Sequence, residues 1–176
     1  MILPDVNVLI HAINKDSSKH DKIRRWWEDV LSGMVTVYMP WVVILGFIRI
    51  STNRKIFQSP LSVQEACVYV QEWLHRPCVR IAESREGHWE IVKKMLQETR
   101  NGELTTDAHL AALAIQLDCV LYSTDTDYKR FPGLKWEYFK ATPFLCRQTN
   151  CLKKLNRCMT SSYMQALERI PSIHQT

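Results

Sequence analysis

Four aspartates in this 176-residue chain have the types and places to do chemistry together. Asp5 closes a short strand that begins with the apolar residues 1–3, and Asp125 stands just past another apolar run, residues 119–123. Both runs read as strands, and in an open α/β sheet the carboxyl ends of parallel strands gather at one edge, where ligands bind. Asp107 falls in the first turn of a helix, the end that faces such an edge. Asp125 and Asp127 are two apart, so extended backbone there turns both side chains the same way. Carboxylates gathered like this repel one another unless a cation joins them. A hard, oxygen-preferring ion, magnesium or manganese, suits an all-carboxylate site. Such an ion acidifies water and neutralises charge on a phosphate, which is what phosphodiester hydrolysis needs. Taken singly, each acid has a plainer role. Asp107 suits a helix N-terminus, Thr124-Asp125-Thr126-Asp127 suits a turn, and Asp5 suits a loop cap.

The elements that must position these acids alternate. Residues 21–31 carry Ile23, Trp26, Trp27, Val30 and Leu31 at helical spacing. Residues 35–39 read as a strand stopped by Pro40, and residues 41–50 as a buried helix. Ser62 and Glu65 form a capping box for a helix running to about His75, followed by a strand at 79–82. Trp89, Val92 and Leu96 mark an amphipathic helix ending near Asn101-Gly102. Thr105 or Thr106 caps the next, striped by Leu110, Leu113, Ala114 and Leu117. Pro4 is awkward in a first strand, since proline cannot donate to a ladder. Strands alternating with helices predict an α/β fold with a mostly parallel sheet covered on both faces.

Length allows one well-buried domain, and 46% hydrophobic with 23% charged residues reads as globular. No apolar run approaches the ~20 residues that span a bilayer. The N-terminus lacks a secretory pattern, so a cytoplasmic protein is expected. Of the formal +5 charge, residues 141–176 supply +4 through Arg147, Lys153, Lys154, Arg157 and Arg169 against Glu168. Global charge therefore says little about nucleic acid. Six cysteines show no CxxC pair, and Cys67, Cys78 and Cys119 lie among apolar neighbours, which argues for free thiols over zinc. His11, His20, His75, His88 and His109 are scattered, with no nucleophile placed beside one. The tryptophans mostly keep helical spacing and read as core, Trp136 least so. Beyond Pro143, Leu152, Leu155, Met159, Met164 and Leu167 suggest a helix that Thr160-Ser161-Ser162 interrupts. The chain divides into 1–140 and a C-terminal extension, 141–176.

Leu3-Pro4-Asp5-Val6-Asn7-Val8-Leu9 resembles the opening of PIN domains, particularly the bacterial VapC toxins. Leu104-Thr105-Thr106-Asp107-Ala108-His109-Leu110-Ala111-Ala112-Leu113-Ala114 resembles the family's second signature, and residues 123–134 its third. His20 with Trp26-Trp27, and Phe47-Ile48-Arg49-Ile50-Ser51-Thr52-Asn53, also have counterparts. The likeness covers residues 1–140 in family order, and three signatures together are far more specific than one. It implies a three-layer α/β/α fold and a magnesium-dependent endoribonuclease, with manganese a possible substitute, leaving 5′-phosphate and 3′-hydroxyl ends. By resemblance Asp5, Asp107 and Asp125 are catalytic and bind metal, with Asp127 as accessory ligand. Asn7 and Thr124 orient these carboxylates from behind. The resemblance also implies a cognate antitoxin and a homodimer. Arg49, Arg54 and Lys55 after the buried helix, with Lys129 and Arg130 after the acidic pair, are candidate contacts to RNA phosphates; solvated surface charge is the alternative.

One feature of the family pattern is missing. Many PIN nucleases carry a glutamate on the helix after the second strand, whereas no acid occurs here between Asp29 and Glu65. Asp127, two residues from Asp125, is the expected replacement; Glu103, four before Asp107, is the other. The alternative is a degenerate PIN domain that only binds protein or RNA. A phosphatase of the haloacid-dehalogenase type also begins with an aspartate after a strand, but it wants an acid where Asn7 stands.

Overall fold

The computed structural model describes residues 1–139. The 141–176 extension, with its expected helix and Cys146, Cys151 and Cys158, lies outside the described residues. The elements run β1 (Ile2–Pro4), α1 (Val6–Ile13), α2 (His20–Ser32), β2 (Val37–Pro40), α3 (Trp41–Ser51), α4 (Val63–Leu74), β3 (Val79–Ala82), α5 (His88–Thr99), α6 (Thr105–Gln116), β4 (Val120–Ser123) and β5 (Trp136–Tyr138). The strands form one sheet in the order β3-β2-β1-β4-β5, every pair parallel. Parallel neighbours require crossovers; helices supply all but the one from β4 to β5, which runs through a 3-10 turn at Asp127–Arg130, giving the expected three-layer α/β/α arrangement.

The chain winds from β1 to β2 and β3, then returns to the other side of β1 for β4 and β5. The order therefore reverses between β1 and β4, where ligands bind in open sheets of this kind. Leu3 pairs with Leu121 and Pro4 with Tyr122. Leu3, Val37, Met39 and Leu121 are fully buried in the sheet. Each such side chain contributes about 1.5–3 kcal/mol.

Pro4 fits for a geometric reason. The Ile2 N–H donates to Thr36 O on the β2 side and the Asp5 N–H donates to Tyr122 O on the β4 side. Alternation turns position 4 towards β2, and the β1–β2 register consists of Ile2 against Val37. The donor that proline lacks is missing where that ladder has ended.

Around the sheet, α2 buries Ile23, Trp26, Trp27, Val30 and Leu31, as its spacing predicts. Trp26 lies 5.0 Å from Tyr122 and seats α2 on β4. Trp73 of α4 packs on Trp27 at 5.9 Å and on Phe47 of α3 at 4.7 Å. Ser62 and Glu65 make the capping box in full. Pro40 closes β2 and stands at the N-cap of α3.

Several elements depart from the sequence reading. Residues 6–13, mostly branched aliphatics, form a helix that Asp5 caps by accepting from Val6 N. β5 was not expected, because three residues are too few to show alternation. Trp89 and Trp41 are 63% and 53% exposed, so helical spacing did not make them core, and Met95 fills the place beneath α5 instead. Cys67 is exposed rather than apolar-packed. α6 starts at Thr105 with no side-chain cap. Among the described residues no helix is long and apolar enough to cross a membrane.

Candidate active site

Asp5 lies between β1 and α1 as the N-cap of α1, and the residue is 3% exposed. Oδ1 accepts from Val6 N at 2.6 Å. Oδ2 accepts from Asn7 Nδ2 at 3.1 Å and from the Ser123 hydroxyl at 2.7 Å. Ser123 is the last residue of β4, so this bond spans the switch point. Its Oγ also accepts the Asp125 N–H at 2.9 Å. The end of β1 and the loop after β4 thus meet on one hydroxyl.

Asp107 enters from the first turn of α6, half-buried, and its Oδ1 accepts from the Tyr128 hydroxyl at 3.0 Å. Burial pushes the Asp5 carboxyl up to about 6, against the Ser123 bond, and the charges of Asp107 and Asp125 push the same way. Burial also raises Asp107, against the Tyr128 bond, and Asp125 and Asp127 add to it. The fully buried Tyr128 hydroxyl is held far above its ordinary range by burial and by Asp5, Asp107 and Asp125. Asp5, Asp107 and Asp125 are therefore electrostatic neighbours although 120 positions separate the outer two.

The expected extended geometry after β4 is absent. Asp125 Oδ1 accepts the Asp127 N–H at 2.9 Å, folding the chain into a turn. Asp127 then opens a 3-10 helix over Asp127–Arg130, with Thr126 already helical. Asp125 and Asp127 do not share a strand face; the local side-chain bond of an aspartate prevails over extension. Asp127 instead pairs with Arg130 Nε at 3.1 Å while remaining within electrostatic reach of Asp107.

The remaining candidates are dispersed. Asn7 lies against Asp5, but Thr124 has no side-chain bond among the described residues; Ser123 holds the orienting place. Glu103 is exposed in the 3-10 turn Gly102–Leu104, with no bond to the cluster. α3 brings no acid. Arg49, Arg54, Lys55, Lys129 and Arg130 are exposed, and of these Arg130 alone touches an acid of the cluster. Ser123 and Tyr128 were not singled out from sequence. Register reveals the first, and only packing reveals the second.

The donor set is all hard oxygen, and a cation relieves the mutual repulsion that adds to burial in raising Asp5 and Asp107, so these residues fit a divalent ion. Among the described residues no three histidine, cysteine or acidic side chains already close around one point; the cluster is an open one. Two histidines are not scattered after all. His88 Nε2 and His109 Nδ1 are 2.8 Å apart, and His88 Nδ1 is 2.8 Å from Gln116 Oε1, joining α5 to α6.

A family model described as the PIN domain matches residues 2–134. Ribonuclease VapC33 of Mycobacterium tuberculosis is 35% identical over 137 residues, covering 77% of this chain and 96% of the relative. Ribonuclease VapC37 of the same organism is 36% identical over 138 residues, covering 78% and 96%. The chain belongs to the PIN-domain family, with VapC proteins among its relatives. The structure of VapBC2 from Rickettsia felis bound to a DNA fragment from its promoter matches with a TM-score of 0.58 at 19% identity, over 78% of this chain and 98% of that one. Mycobacterium tuberculosis VapC20, a sarcin–ricin loop cleaving toxin, matches at 0.54 and 18% over 73% and 93%. Likeness at that identity carries the fold.

Proposed function

We propose that the chain is an endoribonuclease, the toxin of a toxin–antitoxin pair, and that Asp5, Asp107 and Asp125 are its metal-binding acids. The carrying observation is that Asp5 lies buried at the β1–β4 switch point, its carboxyl raised by that burial and further by the nearby charges of Asp107 and Asp125. Family membership and the VapC relatives support it.

Asp5, Asp107 and Asp125 would hold magnesium, or manganese in its place, with Asp127 beside them. When bound, such an ion supplies charge neutralisation at the phosphate and acidifies water. The chain's own residues do the rest. Ser123 and Asn7 hold the Asp5 carboxylate in one orientation. Tyr128, whose hydroxyl burial holds protonated, donates to Asp107 Oδ1 and fixes that carboxylate. Exposed Lys129, Arg49, Arg54 and Lys55 are candidates to bind RNA phosphates.

The cognate partner is a small antitoxin, and the toxin is a homodimer whose clefts antitoxin segments close. The fold likeness to VapBC2 of Rickettsia felis, solved on promoter DNA, supports this reading. Trp41 and Leu45, one turn apart on α3 and both more than half exposed, offer apolar surface for a protein contact. The nuclease unit spans 1–140 ahead of the 141–176 extension, and the protein works in the cytoplasm. A second reading has its own observation: an acid-free α3 and an open cluster favour a degenerate PIN domain that only binds. Incubating purified protein with RNA and magnesium decides. Cleavage abolished by Asp5→Asn supports the nuclease, and binding without metal-dependent cleavage supports the degenerate module.

A further inference from the structure

A lysine outside the acidic cluster is held over the same edge of the sheet. Lys19, in the loop between α1 and α2, places its Nζ 3.4 Å from the Tyr138 hydroxyl and 5.6 Å from the centre of that ring. Tyr138 is the last residue of β5 and pairs in register with Ser123, the residue that bonds Asp5 and Asp125. The strand ends therefore line up as Asp5, Ser123, Tyr138.

The loop that carries Lys19 is stitched in place. Asn14 O accepts from Ser17 N, and Ser17 O from His20 N. Ser17 Oγ accepts from Lys19 N at 3.2 Å and lies 2.8 Å from His11 Nδ1. His20 Nδ1 is 3.2 Å from His11 O, closing the loop onto α1. Among the described residues no carboxylate pairs with the Lys19 ammonium. A half-buried cation, fixed by a phenol and a braced loop and lacking a counter-ion, is prepared for an anion from outside.

Neighbouring strands are about 4.8 Å apart, so two spacings put the Tyr138 backbone on the order of 10 Å from Asp5. That separation is too long for the phosphate under attack and suits one further along the same strand. We propose that Lys19, positioned by Tyr138, binds a backbone phosphate flanking the scissile one, so that RNA crosses the sheet edge from the α6 side towards β5. Lys19 is a substrate-binding residue here and Tyr138 positions it, and the inference rests on the nuclease reading.

The test uses full-length protein carrying Asp107→Asn, to prevent cleavage, and a fluorescently labelled short single-stranded RNA, titrated by anisotropy across a range of salt. Adding Lys19→Gln should weaken binding several-fold at low salt and flatten the dependence of log affinity on log salt by about 0.7, the loss of one phosphate contact on a single strand. Lys19→Arg should keep the slope, and Tyr138→Phe should weaken binding while keeping it. In the active protein Lys19→Gln should raise KM more than it lowers kcat. An unchanged slope for Lys19→Gln, or an equal fall for the same charge change at Lys22, overturns the assignment and leaves the nuclease standing. Failure of the Asp107→Asn chain to bind RNA at any salt overturns the nuclease reading and this one with it. Should Lys19→Gln not fold, Tyr138→Phe decides alone: full affinity overturns the role of the phenol–ammonium pair.

Discussion

The Ser123 hydroxyl donates to Asp5 Oδ2 at 2.7 Å, joining the end of β4 to the end of β1 across 118 positions. The same oxygen accepts the Asp125 N–H, so one side chain sets the spacing of two of the proposed ligands. Partners behind a metal ligand commonly govern 10–100-fold in affinity or activity. Ser123→Ala should therefore weaken manganese binding, measured calorimetrically, by about that factor. It should also cost about 1–3 kcal/mol in urea unfolding, because a buried carboxylate loses a donor. Parent-like manganese affinity would remove Ser123 from the site.

Asp5 gives the metal-free protein a signature in pH. Its carboxyl is raised from 3.8 to about 6, so the folded state binds more protons than the unfolded chain between those values. Stability from this group is then greatest below pH ~4, falls as pH rises to about 6, and stays low above it. The full cost is on the order of 3 kcal/mol. Asp107, also raised, acts with the same sign. Unfolding in the presence of a chelator should show this decline, and Asp5→Asn should flatten it. An identical slope in the variant would mean that another group titrates.

Divalent cation should reverse that loss. An ion that binds the folded chain alone stabilises it by about 2.7 kcal/mol at a hundredfold excess over Kd. At pH 7.5 the melting temperature should climb with manganese in the parent and stay flat in a protein carrying both Asp5→Asn and Asp107→Asn. A parallel climb in both would place the ion elsewhere.

Tyr128→Phe isolates one hydroxyl. The ring stays buried and packed 6.0 Å from Phe131, so stability should change by no more than about 1.5 kcal/mol. Asp107 loses its donor, and RNA cleavage should slow by about tenfold or more. Unchanged cleavage would make the bond purely structural.

Asp127 and Glu103 separate as replacements for the missing helix acid. Asp127 lies near enough to raise Asp107, whereas Glu103 is exposed and unattached. Asp127→Asn should lower cleavage measurably, and Glu103→Gln should leave it unchanged. The reverse pattern would mean that the turn before α6 rearranges around the ion.

From residues alone came the four aspartates, the alternation of strands and helices, the capping box at Ser62 and the buried stripes of α2 and α6. These are carried by residue type and by periods of 2 and 3.6, which a chain displays locally. The tertiary structure decided what depends on partners far away in sequence. Branched residues 6–13 became helix because packing overrides their weak preference. Asp127 turned from a strand face into a 3-10 turn because Asp125 captured its N–H. Trp89 was left in solvent while Met95 went under α5. Ser123, Tyr128 and Lys19 gained their places only when the return of β4 and β5 to the far side of β1 set the register. Local pattern specifies which side chains a strand or helix can present; the order of strands in the sheet specifies which of them meet.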